Sequence, residues 1–166
     1  NFFKNDSFNL IKVARFSEQK DHECLVKAIW LLKDKFKIRL LLLGSGPTQG
    51  KIATLIENLR LKKNIHIIPF KKNPYSLIKK SHIFILSSKY EGLPNSLLEA
   101  IVLNKPVISS NCPTGPNEIL DKGRGGLLFA VGDYKLLANK IEQCIKSKNQ
   151  MAQKRRYAYK RLDRFN

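Results

Sequence analysis

Six short runs of apolar residues alternate along this chain with segments whose apolar positions follow a helical period, and this alternation limits its fold more than any other feature. The predicted strands span residues 8–14, 38–43, 65–68, 83–86, 106–109 and 127–129, and the predicted helices span 21–36, 51–61, 75–80, 95–103 and 134–146. Strands that are almost continuously apolar are typical of parallel sheets with both faces covered. We therefore predict a doubly wound, Rossmann-like α/β domain with a parallel sheet of about six strands.

Composition narrows the class of protein. A chain of 166 residues suits one domain with a core of its own, here residues 1–150. It begins at Asn1, so we expect a piece of a longer protein, and no apolar run reaches the roughly 18 residues of a spanning helix. The scattered residues Cys24, Cys112 and Cys144 indicate buried thiols in a reducing, cytoplasmic compartment. No cysteine or histidine has a partner at ligand spacing, so we expect no metal and no cofactor.

The charge of the chain is strongly positive. Its formal net charge is +18, which attracts nucleic acid, anionic lipid or phosphate-bearing substrates without choosing among them. Residues 151–166 interleave basic and aromatic side chains and predict a basic amphipathic C-terminal helix or tail. A solvated surface helix, docking on another domain and docking on an anionic membrane surface all fit that segment.

In folds of this class the ligand lies beyond the carboxyl ends of the strands, so the turns there deserve most weight. The turn after the fourth predicted strand contains Glu91, and Glu99 follows eight positions later in the next helix. Backbone N–H groups of Gly92, Leu93 and Asn95 can point outward, and Glu91 can accept hydrogen bonds from sugar hydroxyls. Glu99 can hold both hydroxyls of a ribose. A turn residue and a helix-dipole partner are the structural alternatives.

Two further turns are candidates. Arg15 ends the first strand and Lys20 stands before the next helix, a placement that suits a diphosphate as well as two ordinary surface cations. Gly44 and Gly46 follow the second strand but lack the third glycine of the dinucleotide motif. They predict a tight turn or a close approach of a ligand to the backbone.

Together these motifs make the chain resemble the C-terminal, donor-binding domain of a retaining GT-B glycosyltransferase of family 4, the glycosyl transferases group 1. The resemblance runs from about residue 10 to 146 and depends on the order of six motifs: Arg15 with Lys20, 43–47, the Ser87–Ser88 strand end, Glu91 with Glu99, 105–108 and 118–120. Two positions depart from the family pattern. Ala14 and Asp21 stand where glycines are common.

The resemblance implies roles for individual residues. Arg15 and Lys20 would hold the diphosphate and stabilise its departing charge, which makes them catalytic together with Glu91, the contact to the donor sugar. Glu99 would bind the ribose. The remaining donor-binding positions would be Gly44, Gly46, Phe70 in the base-binding segment, and the backbone of Gly92, Leu93, Pro94 and Asn95.

The implied reaction is transfer of a sugar from a nucleotide sugar, a UDP-sugar, to an acceptor hydroxyl with retention, without a metal. The acceptor, a glycan or lipid-linked saccharide, would be bound by an N-terminal domain absent from this chain, so the chain alone should transfer poorly. Enzymes of lipopolysaccharide, capsule or lipid-linked glycan synthesis work at anionic membranes, which fits a basic protein peripheral to the inner face. Residues 151–166 would return toward the missing domain, leaving an apolar face exposed here.

Two other functions compete with this one. A basic nucleic-acid-binding domain is favoured by charge alone, but only residues 151–166 mix basic and aromatic side chains, so we expect no nucleic acid. A non-catalytic sugar- or nucleotide-binding module that kept the fold is the second.

Overall fold

The computed structural model describes residues 2–165 and contains one parallel sheet. Its six strands within those residues run in the order β3-β2-β1-β4-β5-β6, and every neighbouring pair is parallel. They are β1 (Phe8–Val13), β2 (Ile38–Leu43), β3 (Ile65–Ile68), β4 (Ile83–Leu86), β5 (Val107–Ser110) and β6 (Leu127–Phe129). The predicted fold class and strand number are confirmed.

Helices cover both faces of the sheet. The α-helices between residues 2 and 165 are α1 (His22–Leu32), α2 (Gln49–Asn58), α3 (Tyr75–Lys80), α4 (Asn95–Val102), α5 (Pro116–Ile119), α6 (Tyr134–Lys146) and α7 (Lys148–Lys160), with 3-10 turns at Glu18–Lys20 and Leu162–Phe165. One core lies between the sheet and α1, α2 and α6, and the other lies under α3, α4 and α5. Alternate residues of β1 serve the two cores: Leu10 belongs to the first and Ile11 to the second.

The strand order reverses next to β1. Leu10 and Ile11 of β1 pair with Ile83 and Phe84 of β4, although β2 and β3 come between these strands in sequence. The loops that leave β1 and β4 therefore diverge to opposite faces of the sheet and leave a crevice at its carboxyl edge. Such a crevice is the usual ligand position in an open parallel sheet.

The C-terminal helix α7 packs on the domain. Met151 joins the first core and Ala158 the second, and both are buried. Lys154 Nζ donates to the Gly123 carbonyl (2.6 Å), and the Tyr157 hydroxyl donates to the Asp121 carboxylate. The expectation of an exposed apolar face that awaits the missing domain is therefore wrong for Met151 and Ala158, whereas Tyr159 remains 48% exposed. What α7 leaves on the surface is largely charge.

The turn after β2 lies unusually close to the end of β1. A Cβ atom on Gly44 would come 1.9 Å from the Ala14 carbonyl oxygen, and one on Gly46 would come 2.3 Å from that of Phe16. Backbone hydrogen bonds from Phe16 N–H to Ser45 O (3.0 Å) and from Thr48 N–H to Phe16 O (3.1 Å) hold the two segments together. The glycines are thus required by contact of backbone with backbone, which shapes the loop that carries Arg15.

We expect Gly46→Ala to destabilise the domain by about 3 kcal/mol, because its methyl group would overlap the Phe16 backbone. Gly50→Ala is the matched control. Gly50 lies four residues further on in α2, where an added Cβ atom would meet nothing within 4 Å, so alanine should stabilise the helix by about 0.5 kcal/mol. Urea unfolding followed by circular dichroism measures both changes. Equal effects of the two variants would contradict this packing.

Candidate active site

The loops after β1 and β4 are joined by hydrogen bonds in the crevice. Ser87 Oγ lies 3.0 Å from the carbonyl oxygens of both Lys20 and Asp21. The Lys89 N–H donates to the Gln19 carbonyl at 2.8 Å, and Gln19 Nε2 donates to the Tyr90 carbonyl at 2.9 Å. These bonds link residues about seventy positions apart and fix the position of Lys20 relative to the β4–α4 loop.

An ion pair between Lys20 and Glu91 lies at the centre of this junction. Lys20 Nζ is 2.6 Å from Glu91 Oε2, and Ser88 Oγ donates to the same oxygen. The Glu91 side chain is only 6% exposed, whereas that of Lys20 is 22% exposed. Thr114 of the β5–α5 loop donates to the Glu91 carbonyl oxygen. The structure therefore brings together two predicted catalytic residues and directs the Glu91 carboxylate toward Lys20.

Asp21 connects Lys20 to α1 through an unusual backbone conformation. Its φ of +46° is in the left-handed region, where glycine is the least strained residue and aspartate is tolerated. Its side chain accepts the Cys24 N–H at 3.2 Å and caps α1. An aspartate can thus replace the family's common glycine here, because the cap offsets part of the cost of the backbone conformation.

Arg15 and Phe70 share a cavity of about 320 Å³ with the β2 turn. Ala14, Gly44 and Ser45 form its floor beside them, and Ser45 Oγ accepts the Phe70 N–H at 3.2 Å. The Phe70 ring is 72% exposed, and Arg15 is exposed as well. Three predicted donor-binding or catalytic positions therefore meet in one cavity, while Gly46 contributes through its contact with Phe16.

Glu99 lies elsewhere, in a second cavity between α3 and α4. This cavity has a volume of about 480 Å³, and Tyr75, Asn95, Leu98 and Val102 line it together with Glu99. The β3–α3 loop joins the two cavities, since Phe70 stands at its start and Tyr75 follows its end. Asn95 and Glu99 thus share a surface that Lys20 and Glu91 do not line.

The loop from Gly92 to Asn95 is partly engaged in its own turn. The Asn95 N–H donates to the Leu93 carbonyl at 2.9 Å, so the expectation that this group points outward is wrong. The Leu93 side chain is 63% exposed, Gly92 is exposed, and Pro94 is buried at the start of α4. Of the three N–H groups predicted to face a ligand, those of Gly92 and Leu93 remain candidates.

Lys12 is a functional candidate that the sequence reasoning missed. It lies on β1 and is 1% exposed, and its Nζ makes no hydrogen bond to any residue in the described part of the chain. Burial and the charge of Lys20 lower the pKa of Lys12 to about 7, although Glu91 opposes that change. A lysine within a mainly apolar strand was the available signal, since such a strand is buried on both faces.

No group of three or more His, Cys, Asp or Glu side chains between residues 2 and 165 could hold a metal ion. Within residues 2–165, none of the helices combines the length and the hydropathy of a membrane-spanning segment. Cys24, Cys112 and Cys144 are buried and free, as predicted.

The six-stranded parallel sheet with its reversed strand order is that of the Rossmann-like, C-terminal half of the GT-B fold. The chain belongs to the glycosyl transferases group 1 family, whose model matches residues 1–161, and it is a glycosyltransferase domain. The predicted family is thereby confirmed.

Individual relatives agree with this family. The chain is 42% identical over 121 residues to the uncharacterized glycosyltransferase MJ1059 of Methanocaldococcus jannaschii, which covers 72% of this chain and 30% of the relative. It is 30% identical over 122 residues to the N-acetylgalactosamine-N,N'-diacetylbacillosaminyl-diphospho-undecaprenol 4-alpha-N-acetylgalactosaminyltransferase of Campylobacter jejuni, covering 74% of this chain and 33% of the relative. The chain spans about a third of the length of these relatives.

A solved structure shows the same fold. The pneumococcal O-GlcNAc transferase GtfA, in complex with UDP and GlcNAc, superposes with a TM-score of 0.85 at 25% sequence identity. The match covers 96% of this chain and 33% of that structure. The chain is therefore similar to one portion of a larger transferase.

We expect Lys20→Met to cost about 2 kcal/mol of stability, because it leaves the buried Glu91 carboxylate without its ion-pair partner. Glu91→Gln removes the charge that Lys20→Met leaves unpaired. The loss of stability in the double variant should therefore be smaller than the sum of the losses in the two single variants, by at least about 1 kcal/mol. Chemical unfolding of the four proteins at pH 8 measures this coupling.

Lys51→Met is the control for that cycle. Lys51 pairs with Glu18 at 3.2 Å, but the two side chains are 58% and 68% exposed. Its loss should therefore cost less than about 0.5 kcal/mol. Additive losses at Lys20 and Glu91 would contradict a stabilising pair.

Proposed function

We infer that this chain is the donor-binding half of a retaining glycosyltransferase that transfers a sugar from a UDP-sugar to an acceptor hydroxyl. The observation that carries this proposal is the Lys20–Glu91 pair, which lies at the point where the strand order reverses. A cation and a carboxylate in one crevice offer contacts to both parts of a nucleotide sugar, its diphosphate and its sugar hydroxyls. The carboxyl-edge cavities on either side offer room for the nucleoside.

Arg15 and Lys20 would act on the diphosphate. When the donor enters, Lys20 would turn from Glu91 toward the phosphate oxygens, and Arg15 would approach them from the loop after β1. Fixed cations aimed at the leaving diphosphate stabilise the charge that develops as the bond to the sugar breaks. Glu91, released from Lys20, would accept hydrogen bonds from the sugar hydroxyls beside the Gly92 and Leu93 backbone.

The nucleoside would extend along the β3–α3 loop. The uracil would lie in the cavity of Arg15, Ser45 and Phe70, where an exposed aromatic ring and backbone polar groups stand together. The ribose would bind Glu99 in the cavity that also contains Tyr75 and Asn95. Burial of the apolar surface of Phe70 and Tyr75 would add to the affinity.

The acceptor would be bound outside this chain. The relatives are about three times as long, and the Campylobacter relative carries a diphospho-undecaprenol saccharide in its name. We therefore assign acceptor binding to a second, N-terminal domain and expect a glycan or lipid-linked saccharide as acceptor, in lipopolysaccharide, capsule or lipid-linked glycan synthesis. A net charge of +18 suits work at the anionic inner face of a membrane, with the domain peripheral to it.

We expect UDP to bind the chain weakly, with a dissociation constant on the order of 100 μM, and more tightly than GDP or ADP. The cavity beside Phe70 would favour the smaller pyrimidine base. Isothermal titration calorimetry with the three nucleotides measures the preference. A folded sample that binds none of them would overturn the donor-site proposal.

Two carboxylate variants separate the ribose contact from the sugar contact. Glu99→Ala should weaken UDP and a UDP-sugar alike by about tenfold, because both ligands carry the ribose. Glu91→Ala should weaken only the UDP-sugar to that extent, since it removes a sugar contact and leaves Lys20 free for phosphate. Calorimetry measures all four affinities.

The control for both variants is Glu142→Ala. Glu142 forms an i,i+4 ion pair with Lys146 on α6 and should leave binding unchanged. Equal losses for UDP and UDP-sugar in Glu91→Ala would contradict the division of roles between the two glutamates.

A further inference from the structure

Lys12 occupies an unusual position beneath the ion pair of the crevice. It follows Leu10 and Ile11 on the central strand β1 and pairs in register with Leu42 of β2. Its ammonium group is sealed from solvent and finds no hydrogen-bond acceptor among residues 2–165. A buried charge without a partner is costly, so the group is held there in its neutral form or is balanced by nearby charge.

The groups that act on Lys12 come from three segments. Lys20 of the 3-10 turn opposes its protonation, whereas Glu91 of the β4–α4 loop and Asp21 at the start of α1 favour it. Within α1, burial raises the pKa of Cys24 to about 12 and lowers that of His22 to about 2, so both are neutral near pH 7. The ionic groups beside Lys12 are therefore Lys20, Glu91 and Asp21.

Of these, Asp21 already accepts the Cys24 N–H, and Glu91 is held by Lys20. The Glu91 carboxylate is buried, so it needs a cation whenever Lys20 leaves it. Lys12 is a fully buried lysine one residue before the end of β1, and β1 lies beside β4, the strand from which the loop of Glu91 leaves. A doubly negative diphosphate in the crevice would also favour the protonated, positively charged form of Lys12.

We propose that Lys12 is a second counter-ion of Glu91, and that it takes up one proton when the donor diphosphate draws Lys20 away from that carboxylate. The proton comes from a hydronium ion or a buffer acid, whose bond to that proton breaks as the N–H bond forms at Lys12 Nζ. This proposal rests on the proposed donor-binding function and deepens it, because it makes binding at that site dependent on pH. Lys12 is a positioning residue that touches no part of the substrate.

The sign of the pH dependence follows from burial. Free Lys12 has its pKa lowered to about 7, so above that pH it is largely neutral and gains a proton on binding. The bound state then holds one more proton than the free state, and affinity falls as pH rises, by up to about tenfold per unit above pH 7. A UDP-sugar is the suitable probe, because the terminal phosphate of UDP itself titrates with a pKa near 6.

The test is calorimetry of UDP-glucose and UDP-N-acetylglucosamine at pH 8, repeated in buffers of different ionisation enthalpy to count the protons taken up. The wild-type chain should take up close to one proton per donor bound, and Lys12→Met close to none. Lys105→Met is the matched control. Burial also lowers the pKa of Lys105, but the Lys105 ammonium group donates to the Ser81 carbonyl at 2.7 Å. These two residues lie before β5 and β4, at the amino ends of the strands and far from the crevice. Its proton count should remain that of the wild type.

A second measurement needs no donor. Carbon-13 NMR of the lysine ε positions, with Lys12 assigned by its loss in Lys12→Met, follows the titration of its amine in the free chain. Removal of the Lys20 charge in Lys20→Met, or in Lys20→Gln if the methionine variant does not fold, should raise the titration midpoint of Lys12 by about one pH unit.

The outcomes separate the two proposals. Donor binding without proton uptake, or uptake that persists in Lys12→Met, overturns the role of Lys12 and leaves the donor site intact. A Lys12 midpoint that does not rise when Lys20 is replaced overturns it as well. Failure of every UDP-sugar to bind overturns the proposed donor, whereas a Lys12 midpoint that falls in Glu91→Gln still supports the counter-ion pairing of Lys12 with Glu91.

Discussion

The pairing of β1 with β4 is the constraint on which the rest of this domain depends. Because these strands are adjacent and parallel, the loops after Val13 and Leu86 leave the sheet side by side and turn to opposite faces. The Ser87 hydroxyl and the Gln19 amide then join them, and the Lys20–Glu91 pair forms between residues 71 positions apart in sequence. The site is thus assembled by sheet topology, and each side chain adds local chemistry to a position that the topology supplies.

Three basic residues stand at the crevice that this topology creates, and they differ in burial. Arg15 is exposed, Lys20 is half-buried against a carboxylate, and Lys12 is buried on β1. The three therefore form a series of increasing desolvation over one strand and its loop. Burial of the innermost, together with the charge of Lys20, lowers the pKa of Lys12 to about 7. The total charge of +18 says little about this site, since most of it lies on the surface.

Much of the fold could be predicted from the sequence, because strands buried on both faces read as apolar runs. All six strands lie within one residue of their predicted ends. Helix ends were less certain: α1 stops at Leu32 and not at Phe36, since the Lys35 and Phe36 N–H groups close a turn on the Leu32 carbonyl. The helix α7 begins at Lys148, three residues before the predicted segment, and its packing against Asp121 and Gly123 depends on contacts distant in sequence.

The candidate site was predictable in its members and unpredictable in its pairings. Spacing and motif order single out Lys20 and Glu91, but whether a carboxylate faces a ligand or a lysine depends on the loops that enclose it, which no local pattern encodes. For Lys12 the sequence showed its position in a mainly apolar strand, but it did not show which charged residues would lie near it. A lysine in such a strand costs stability that Met or Leu would not. An apolar side chain at this position would stabilise the fold better than a buried lysine without a hydrogen-bond partner within residues 2–165. The presence of a lysine near the Lys20–Glu91 pair therefore favours a role in the binding step over a role in folding.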